Sequence, residues 1–103
     1  MVHLTSATFT KETGVSDTLV VVDFWASWCG PCRMLAPVLE KIEGEMPDVK
    51  FCKVNVDEEP ELANKFNIHS IPTLVFIKNG SVADVSVGYM GEASLKSKIG
   101  ANK

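Results

Sequence analysis

Residues 19–25 of this 103-residue chain read Leu-Val-Val-Val-Asp-Phe-Trp, and this stretch decides the fold class. A nearly continuous run of β-branched and aromatic residues is typical of a strand that is buried on both faces, as in a parallel sheet. Asp23 is its one charged residue, and Lys53 of a neighbouring strand is the cation that we expect beside it. Because burial disfavours the charged carboxylate, we expect Asp23 to hold its proton to a higher pH than a free aspartate.

Helical and strand patterns alternate on both sides of this stretch. Residues 32–45 carry apolar side chains at helical spacing, and Pro37 within them is expected to kink the helix. Further strands are predicted at residues 2–4, 49–56, 73–77 and 82–87, with the hairpin signal Lys-Asn-Gly at residues 78–80. Further helices are predicted at residues 58–66 and 92–99, and a short helix capped by Ser6 ends at Thr13. This order predicts one α/β domain over residues 1–103, with a central mixed β-sheet sandwiched by helices.

The composition is that of an ordinary globular protein, with 46% hydrophobic and 22% charged residues. A net charge of −3 argues against a nucleic-acid surface, which needs clustered lysine and arginine. No apolar run approaches the roughly 20 residues that span a bilayer, and the first residues lack the pattern of a secretion signal. We therefore expect a cytoplasmic protein that binds neither nucleic acid nor membranes.

The three cysteines suggest the chemistry. Cys29 and Cys32 stand three apart where the first strand gives way to a helix, whereas Cys52 stands alone. In a redox site, the helix N-terminus would favour a thiolate at the first cysteine, and the pair could close and reopen a disulfide. In a zinc site, the pair would need two more ligands, and Cys52, His3 and His69 have no paired spacing. A chance spacing is the third alternative, and the position between strand and helix favours the redox site.

Residues 22–34, Val-Asp-Phe-Trp-Ala-Ser-Trp-Cys-Gly-Pro-Cys-Arg-Met, resemble the active-site segment of the thioredoxin family. The similarity continues through Lys-Val-Asn-Val-Asp at residues 53–57, Ile-Pro-Thr-Leu at 71–74, Lys-Asn-Gly at 78–80 and Val-Gly at 87–88. It covers essentially the whole chain in order, and Trp-Cys-Gly-Pro-Cys is highly specific. Arg33 stands where the family more usually has lysine. The resemblance implies the thioredoxin fold.

The resemblance also implies a function, that of a redox carrier with protein-disulfide reductase activity. Cys29, exposed and partly ionised, would attack a target disulfide, and Cys32 would then attack Cys29 and release the reduced target. Asp23 would pass a proton to and from Cys32, and Lys53 would tune Asp23. The two residues between the cysteines, Gly30 and Pro31, would set the redox poise.

A groove beside the nucleophile is implied as the substrate-binding site. Its expected members are Trp28, Ile71, Pro72, Thr73 and Gly88. The Ile71–Pro72 bond is expected to be cis, so that its backbone groups face an extended target segment. Gly88 would let the target backbone approach closely.

The implied partners are also those of the family. A thioredoxin reductase, a flavoenzyme that uses NADPH, would re-reduce the protein, which itself needs no cofactor and no metal. Disulfide-containing targets such as peroxiredoxins, methionine sulfoxide reductases and ribonucleotide reductase would be its substrates. We expect the protein to act as a monomer.

Two other functions use the same residues. Oxidases and disulfide isomerases share the fold and the motif type, although Gly-Pro between the cysteines favours the reducing direction. The second alternative function is that of a non-catalytic accessory subunit of another protein. Outside the motif, Cys52 is expected to be a small buried hydrophobe without reactivity, and His69 an ordinary surface histidine.

Overall fold

A computed structural model of the chain describes residues 1–15 and 17–103. The strands in these residues are β1 (Val2–His3), β2 (Val20–Trp25), β3 (Lys50–Asn55), β4 (Thr73–Lys78) and β5 (Ser81–Val87). The helices are α1 (Phe9–Thr13), α2 (Gly30–Glu45), α3 (Pro60–Lys65) and α4 (Glu92–Asn102). Every predicted element is present, with ends shifted by a few residues. None of the described helices combines the length and apolarity needed to cross a membrane.

The described strands form one sheet in the order β1-β3-β2-β4-β5. β2 lies in the centre, parallel to β3 and antiparallel to β4, so the sheet is mixed as expected. β4 and β5 form an antiparallel hairpin, and both residues of its turn, Asn79 and Gly80, have positive φ angles of 52° and 78°. Asparagine and glycine adopt such angles more readily than other residues, which explains why this pair makes the turn.

Alternation of side chains along β2 gives each face of the sheet its own core. The even-numbered residues Val20, Val22 and Phe24 pack with Phe9 of α1 and Leu62 of α3. The odd-numbered residues of this stretch face the other core, which lies under α2 and α4. That core contains Leu19, Val21, Leu35, Leu39, Ile42, Val49, Phe51, Leu74, Phe76, Leu95 and Ile99. Because Asp23 and Trp25 continue the odd series, their side chains lie on the α2 face.

The junction of β2 and α2 places the cysteine pair at the edge of the sheet. α2 begins at Gly30, two residues before its predicted start, and continues through Pro37 to Glu45. Cys29 is its N-cap residue, and Pro31 lies in its first turn. Proline is accepted there because the first N–H groups of a helix have no partner within the helix.

The predicted cap of α1 is wrong. Ser6 donates from its backbone N and from Oγ to Oε1 of Glu59, at 2.8 and 3.2 Å, and α1 begins only at Phe9. Thr8 precedes the helix, and its side chain makes no capping hydrogen bond. The partner of Ser6 lies 53 residues away in sequence, so a local capping pattern could not reveal it.

Candidate active site

The cysteine pair lies where β2 ends and α2 begins. Sγ of Cys29 accepts a hydrogen bond from the backbone N–H of Cys32 at 3.2 Å. The two residues form a disulfide, with their Cα atoms 5.2 Å apart, inside the usual span of such bonds. The helix N-terminus favours negative charge, so it stabilises the thiolate that reduction would release at Cys29.

Burial of the pair differs from the sequence-based expectation. Cys29 is only 5% exposed and Cys32 is 4% exposed, so the first cysteine is not the open one. Ala26 and Ile71 pack against them, and the carbonyl oxygen of Ile71 lies 3.7 Å from Sγ of Cys29. The loop before β4 therefore closes over the sulfur atoms in the disulfide form.

Trp28 stands beside the pair and is 66% exposed. Its Nε1 donates to Oδ2 of Asp57 at 2.8 Å, and Asp57 follows the end of β3. Asn55 holds this loop in turn, because its Oδ1 accepts from the backbone N–H of Asp57 at 2.9 Å. The hydrogen bond to Asp57 thus fixes the orientation of the exposed indole, one residue before Cys29.

Asp23 is buried on the α2 face, and its Oδ1 has no hydrogen-bond partner among the described residues. Burial raises the pKa of Asp23 to about 6, and the positive charge of Lys53 acts in the opposite direction. The raised pKa is the behaviour expected of a carboxyl group in an apolar environment. Near neutral pH this group can therefore both accept and return a proton.

Lys53 lies opposite Asp23 in the β2–β3 register, as the sequence led us to expect. Its ammonium group, however, sits over the ring of Trp25, with Nζ 4.5 Å from the ring centroid. Lys53 therefore acts on Asp23 through its charge and makes no hydrogen bond to Oδ1. Trp25 does more than support the fold, since it holds this cation.

The remaining residues of the expected groove lie just before β4, at its start and just after β5. The Ile71–Pro72 bond is cis, as the resemblance implied. Gly88 has a φ of 93°, and its backbone N–H donates to the carbonyl oxygen of Pro72 at 2.8 Å. A Cβ added at Gly88 would meet no heavy atom within 4 Å, so the space beside it is open.

The groove residues differ in what they can offer a target. Pro72 and Thr73 are buried, and the Thr73 hydroxyl donates to the carbonyl oxygen of Ser70. Ile71 and Gly88 keep part of their surface exposed. Among the expected groove residues, the exposed surface therefore belongs to Trp28, Ile71 and Gly88, whereas Pro72 and Thr73 are buried.

Cys52 lies on the opposite face of the sheet. It is 1% exposed and packs in the core under α1 and α3, and burial raises the pKa of its thiol to about 11. It is a free cysteine, and the sheet separates it from the disulfide. Within residues 1–15 and 17–103, no three His, Cys, Asp or Glu side chains are grouped as a metal site requires.

Sequence reasoning missed the role of Asp57 and the contact between Lys53 and Trp25. It also gave no role to Met34, which lies in the motif segment 22–34 and is 60% exposed. Asp57 stands in the segment 53–57 that carries part of the family resemblance, and this was the available signal. No spacing rule joins a tryptophan before α2 to an aspartate after β3.

Comparison with known proteins agrees with this geometry. The family model described as Thioredoxin matches residues 1–101. The thioredoxin of Bacillus subtilis is 45% identical over 100 residues, which are 96% of this chain and 94% of that protein. The thioredoxin of Listeria monocytogenes is 48% identical over 98 residues, or 94% and 93% of the two chains.

The X-ray structure of Fasciola hepatica thioredoxin covers 100% of both chains, with a TM-score of 0.90 and 42% identity. The sheet order and the helix positions are therefore those of the thioredoxin fold. The close Cys29–Cys32 pair at the start of α2 supports dithiol–disulfide exchange. Family match, fold and cysteine geometry agree, and the chain belongs to the thioredoxin family.

Proposed function

We propose that this protein reduces disulfides of target proteins, with Cys29 as the nucleophile and Cys32 as the resolving thiol. The observation that carries the proposal is the hydrogen bond from the Cys32 N–H to Sγ of Cys29 at the N-terminus of α2. This N–H and the helix dipole stabilise negative charge on the Cys29 sulfur. A lower thiol pKa at Cys29 would let it attack first.

The exchange balances in two steps. The Cys29 thiolate attacks one sulfur of the target disulfide, forms a mixed disulfide and releases the other target sulfur as a thiolate. The Cys32 thiolate then attacks Sγ of Cys29, which forms the Cys29–Cys32 bond and releases the second target thiolate. The target gains two electrons and the protein loses two. The protein returns to its dithiol form when a reductase supplies two electrons and two protons.

Asp23 is the residue that we assign to the proton of Cys32. Its pKa of about 6, raised by burial, leaves it mostly ionised at neutral pH and able to take a proton from the Cys32 thiol. Both side chains belong to the side of the sheet that α2 covers, which supports this assignment. Lys53 tunes Asp23 by its charge.

Target binding is assigned to the groove of Trp28, Ile71, Pro72, Thr73 and Gly88. An extended target segment would lie beside the loop before β4, in the manner of an added strand. The anchored Trp28 ring and the open space at Gly88 support this placement. Gly30 and Pro31, in the first turn of α2, would set the reduction potential through the stability of the Cys29 thiolate.

The family implies a reductase and disulfide-bearing targets as partners in general. More specifically, we propose that an NADPH-dependent thioredoxin reductase re-reduces this protein. Peroxiredoxins, methionine sulfoxide reductases and ribonucleotide reductase are the target classes we assign to it. We place the protein in the cytoplasm, acting as a monomer of one domain over residues 1–103.

Insulin reduction tests the proposal. The protein is mixed with a bacterial thioredoxin reductase, NADPH and insulin, and NADPH oxidation and insulin precipitation are followed together. We expect sustained oxidation with many turnovers, which Cys29→Ser abolishes and Cys52→Ala leaves unchanged. Absence of turnover beside a stable stoichiometric complex with another protein would favour the accessory-subunit alternative. Faster oxidation of a reduced peptide than reduction of insulin would favour an oxidase.

A further inference from the structure

Three side chains of the α2 face form a small polar group beneath the cysteine pair. Asp23 and Trp25 alternate along β2, and Lys53 lies opposite Asp23 on β3. Nζ of Lys53 is 4.5 Å from the centroid of the Trp25 ring. Asp23 Oδ1 and Trp25 Nε1 are buried and have no hydrogen-bond partner among the described residues. Lys53 therefore has two possible electrostatic partners, the Asp23 carboxylate and the Trp25 ring, and its ammonium group lies over the ring.

Within the described residues, no charged group other than Lys53 shifts the pKa of Asp23. Its neighbour on β4 is Leu74, and α4 contributes Leu95 and Ile99 to the core of this face. At the start of α2, Cys29 and Cys32 are joined in the disulfide, and the exposed Arg33 donates from its guanidinium group to the carbonyl oxygen of Ser27.

The charged side chains that link α2 to α4 are engaged in ion pairs at the surface. These residues are Lys41, Glu45, Glu92 and Lys96. Lys53 is the charge whose field acts on Asp23 within the described residues. Burial raises the pKa of Asp23, and the position of the Lys53 ammonium group sets how far its charge counteracts that rise.

We infer that Trp25 is a positioning residue, which holds the Lys53 ammonium group by a cation–π contact and so keeps it from pairing directly with Asp23. The inference rests on the proposed role of Asp23 in proton transfer. A direct ion pair would stabilise the carboxylate strongly, because charges in contact inside a protein interact more strongly than separated ones. Asp23 would then be a weaker base toward the Cys32 thiol. The ring offers the lysine another electrostatic partner and leaves the carboxylate free.

Site-specific replacement of Trp25 by fluorinated tryptophans separates this role from packing. Fluorine withdraws electron density from the ring face and weakens cation binding, while the shape of the ring hardly changes. The Asp23 pKa is measured in the oxidised protein by NMR of its carboxyl carbon, because the cysteines do not titrate there. From tryptophan to the trifluorinated ring we expect a stepwise fall of about half a pH unit. Resolution of mixed disulfides near pH 8, where Asp23 is ionised in every member of the series, should slow about twofold across it, because a weaker base accepts the Cys32 proton less readily.

Two controls accompany the series. The same fluorinated residues at Trp28, whose indole is anchored by Asp57, should leave the Asp23 pKa unchanged. In a Lys53→Met background, fluorination at Trp25 should also have no effect, because no cation remains to be released. An unchanged Asp23 pKa in the Lys53-containing protein would overturn the inference, and so would a rise, which would show that the released lysine moves away from Asp23. Insulin reduction by the unsubstituted protein tests the proposed function separately.

Discussion

Nε1 of Trp28 donates a hydrogen bond to Oδ2 of Asp57 across 2.8 Å, joining the residue before Cys29 to the loop after β3. Without this bond, an indole that is 66% exposed would be free to adopt several rotamers. The bond therefore presents one flat apolar surface beside Cys29. A target docked as we propose would meet a preorganised contact, which would lower the entropy cost of binding.

The first prediction concerns this anchor. Asp57→Ala should free the indole, speed hydrogen exchange of the Trp28 Nε1–H and slow the first attack on a target about threefold. Asp57→Asn keeps an oxygen acceptor at the same place and should retain most of the rate. Glu58→Ala is the matched surface control and should change neither measurement. Equal rates for wild type and Asp57→Ala would show that the anchor does not contribute to docking.

The second prediction concerns the order of attack. In Cys32→Ser the nucleophile remains but cannot be resolved, so mixed disulfides with oxidised targets should accumulate. Cys29→Ser should trap few targets, since the remaining thiol lacks the stabilising N–H contact that Cys29 Sγ receives. Non-reducing gels of both variants, after exposure to oxidised insulin or peroxiredoxin, make the comparison. Stronger trapping by Cys29→Ser would reverse the assignment.

The third prediction uses the buried carboxyl group of Asp23. Its pKa is raised by burial from 3.8 to about 6. The folded state therefore binds the proton more tightly than the unfolded state, and this contribution to stability is complete below about pH 4 and is lost as pH rises through 6. Asp23→Asn removes this loss and should be more stable than wild type above pH 6, by about 3 kcal/mol at most.

Urea denaturation between pH 3.5 and pH 8 measures the difference. The two proteins should approach each other in stability at the acid end, and equal pH dependence in both would contradict the raised pKa.

Stopped-flow kinetics of the same variant test the proposed role of Asp23 in the chemistry. Asp23→Asn should leave the first attack nearly intact and slow resolution of the mixed disulfide, because its amide cannot accept the Cys32 proton. Wild-type resolution over the whole pH range would make Asp23 a structural residue only.

The fourth prediction compares two glycines with similar backbones. Gly88 and Gly80 have φ angles of 93° and 78°, and a Cβ at either would meet no heavy atom within 4 Å. Alanine at each position should therefore cost about 1 kcal/mol through backbone strain alone. Gly88→Ala should also slow insulin reduction, since its methyl group enters the space assigned to the target, whereas Gly80→Ala should not. A matched loss of stability without any difference in activity would argue against target contact at Gly88.

The fifth prediction concerns Cys52. Burial raises the pKa of its thiol to about 11, and the side chain is 1% exposed. Iodoacetamide at pH 8 should modify the reduced native protein at the active-site pair and leave Cys52 unmodified until denaturant is added. Mass spectrometry of peptides locates the label. Labelling of Cys52 at the same rate in native and denatured protein would show that this core opens readily.

Local sequence patterns predicted most of the fold and the position of the cysteine pair. The apolar run at residues 19–25, the helical spacing that follows it and the Asn-Gly turn each involve neighbours in sequence, so their backbone preferences act locally. The cysteine spacing and its place between strand and helix likewise follow from adjacent residues. By itself, the sequence therefore determined the order of elements, the mixed sheet and the position of the pair at a helix start.

Contacts between distant segments were decided only by the tertiary structure. Glu59 takes the hydrogen bonds of Ser6, and Asp57 anchors Trp28 from the loop after β3. The burial of Cys29 depends on the loop at Ile71, which lies 42 residues further along the chain. Such contacts depend on strand register and on how a helix lies across the sheet, and neither is encoded in the spacing of neighbouring residues.

Asp23 illustrates both what the sequence could predict and what it could not. A charge inside an apolar strand was enough to predict burial and a raised pKa, because desolvation depends only on the residue being inside the core. The sequence also suggested Lys53 as its neighbour, and the register confirms that position. The position of the Lys53 ammonium group over the Trp25 ring could be seen only in the tertiary structure. A long flexible side chain can reach several partners, and the packed structure determines which of them it contacts.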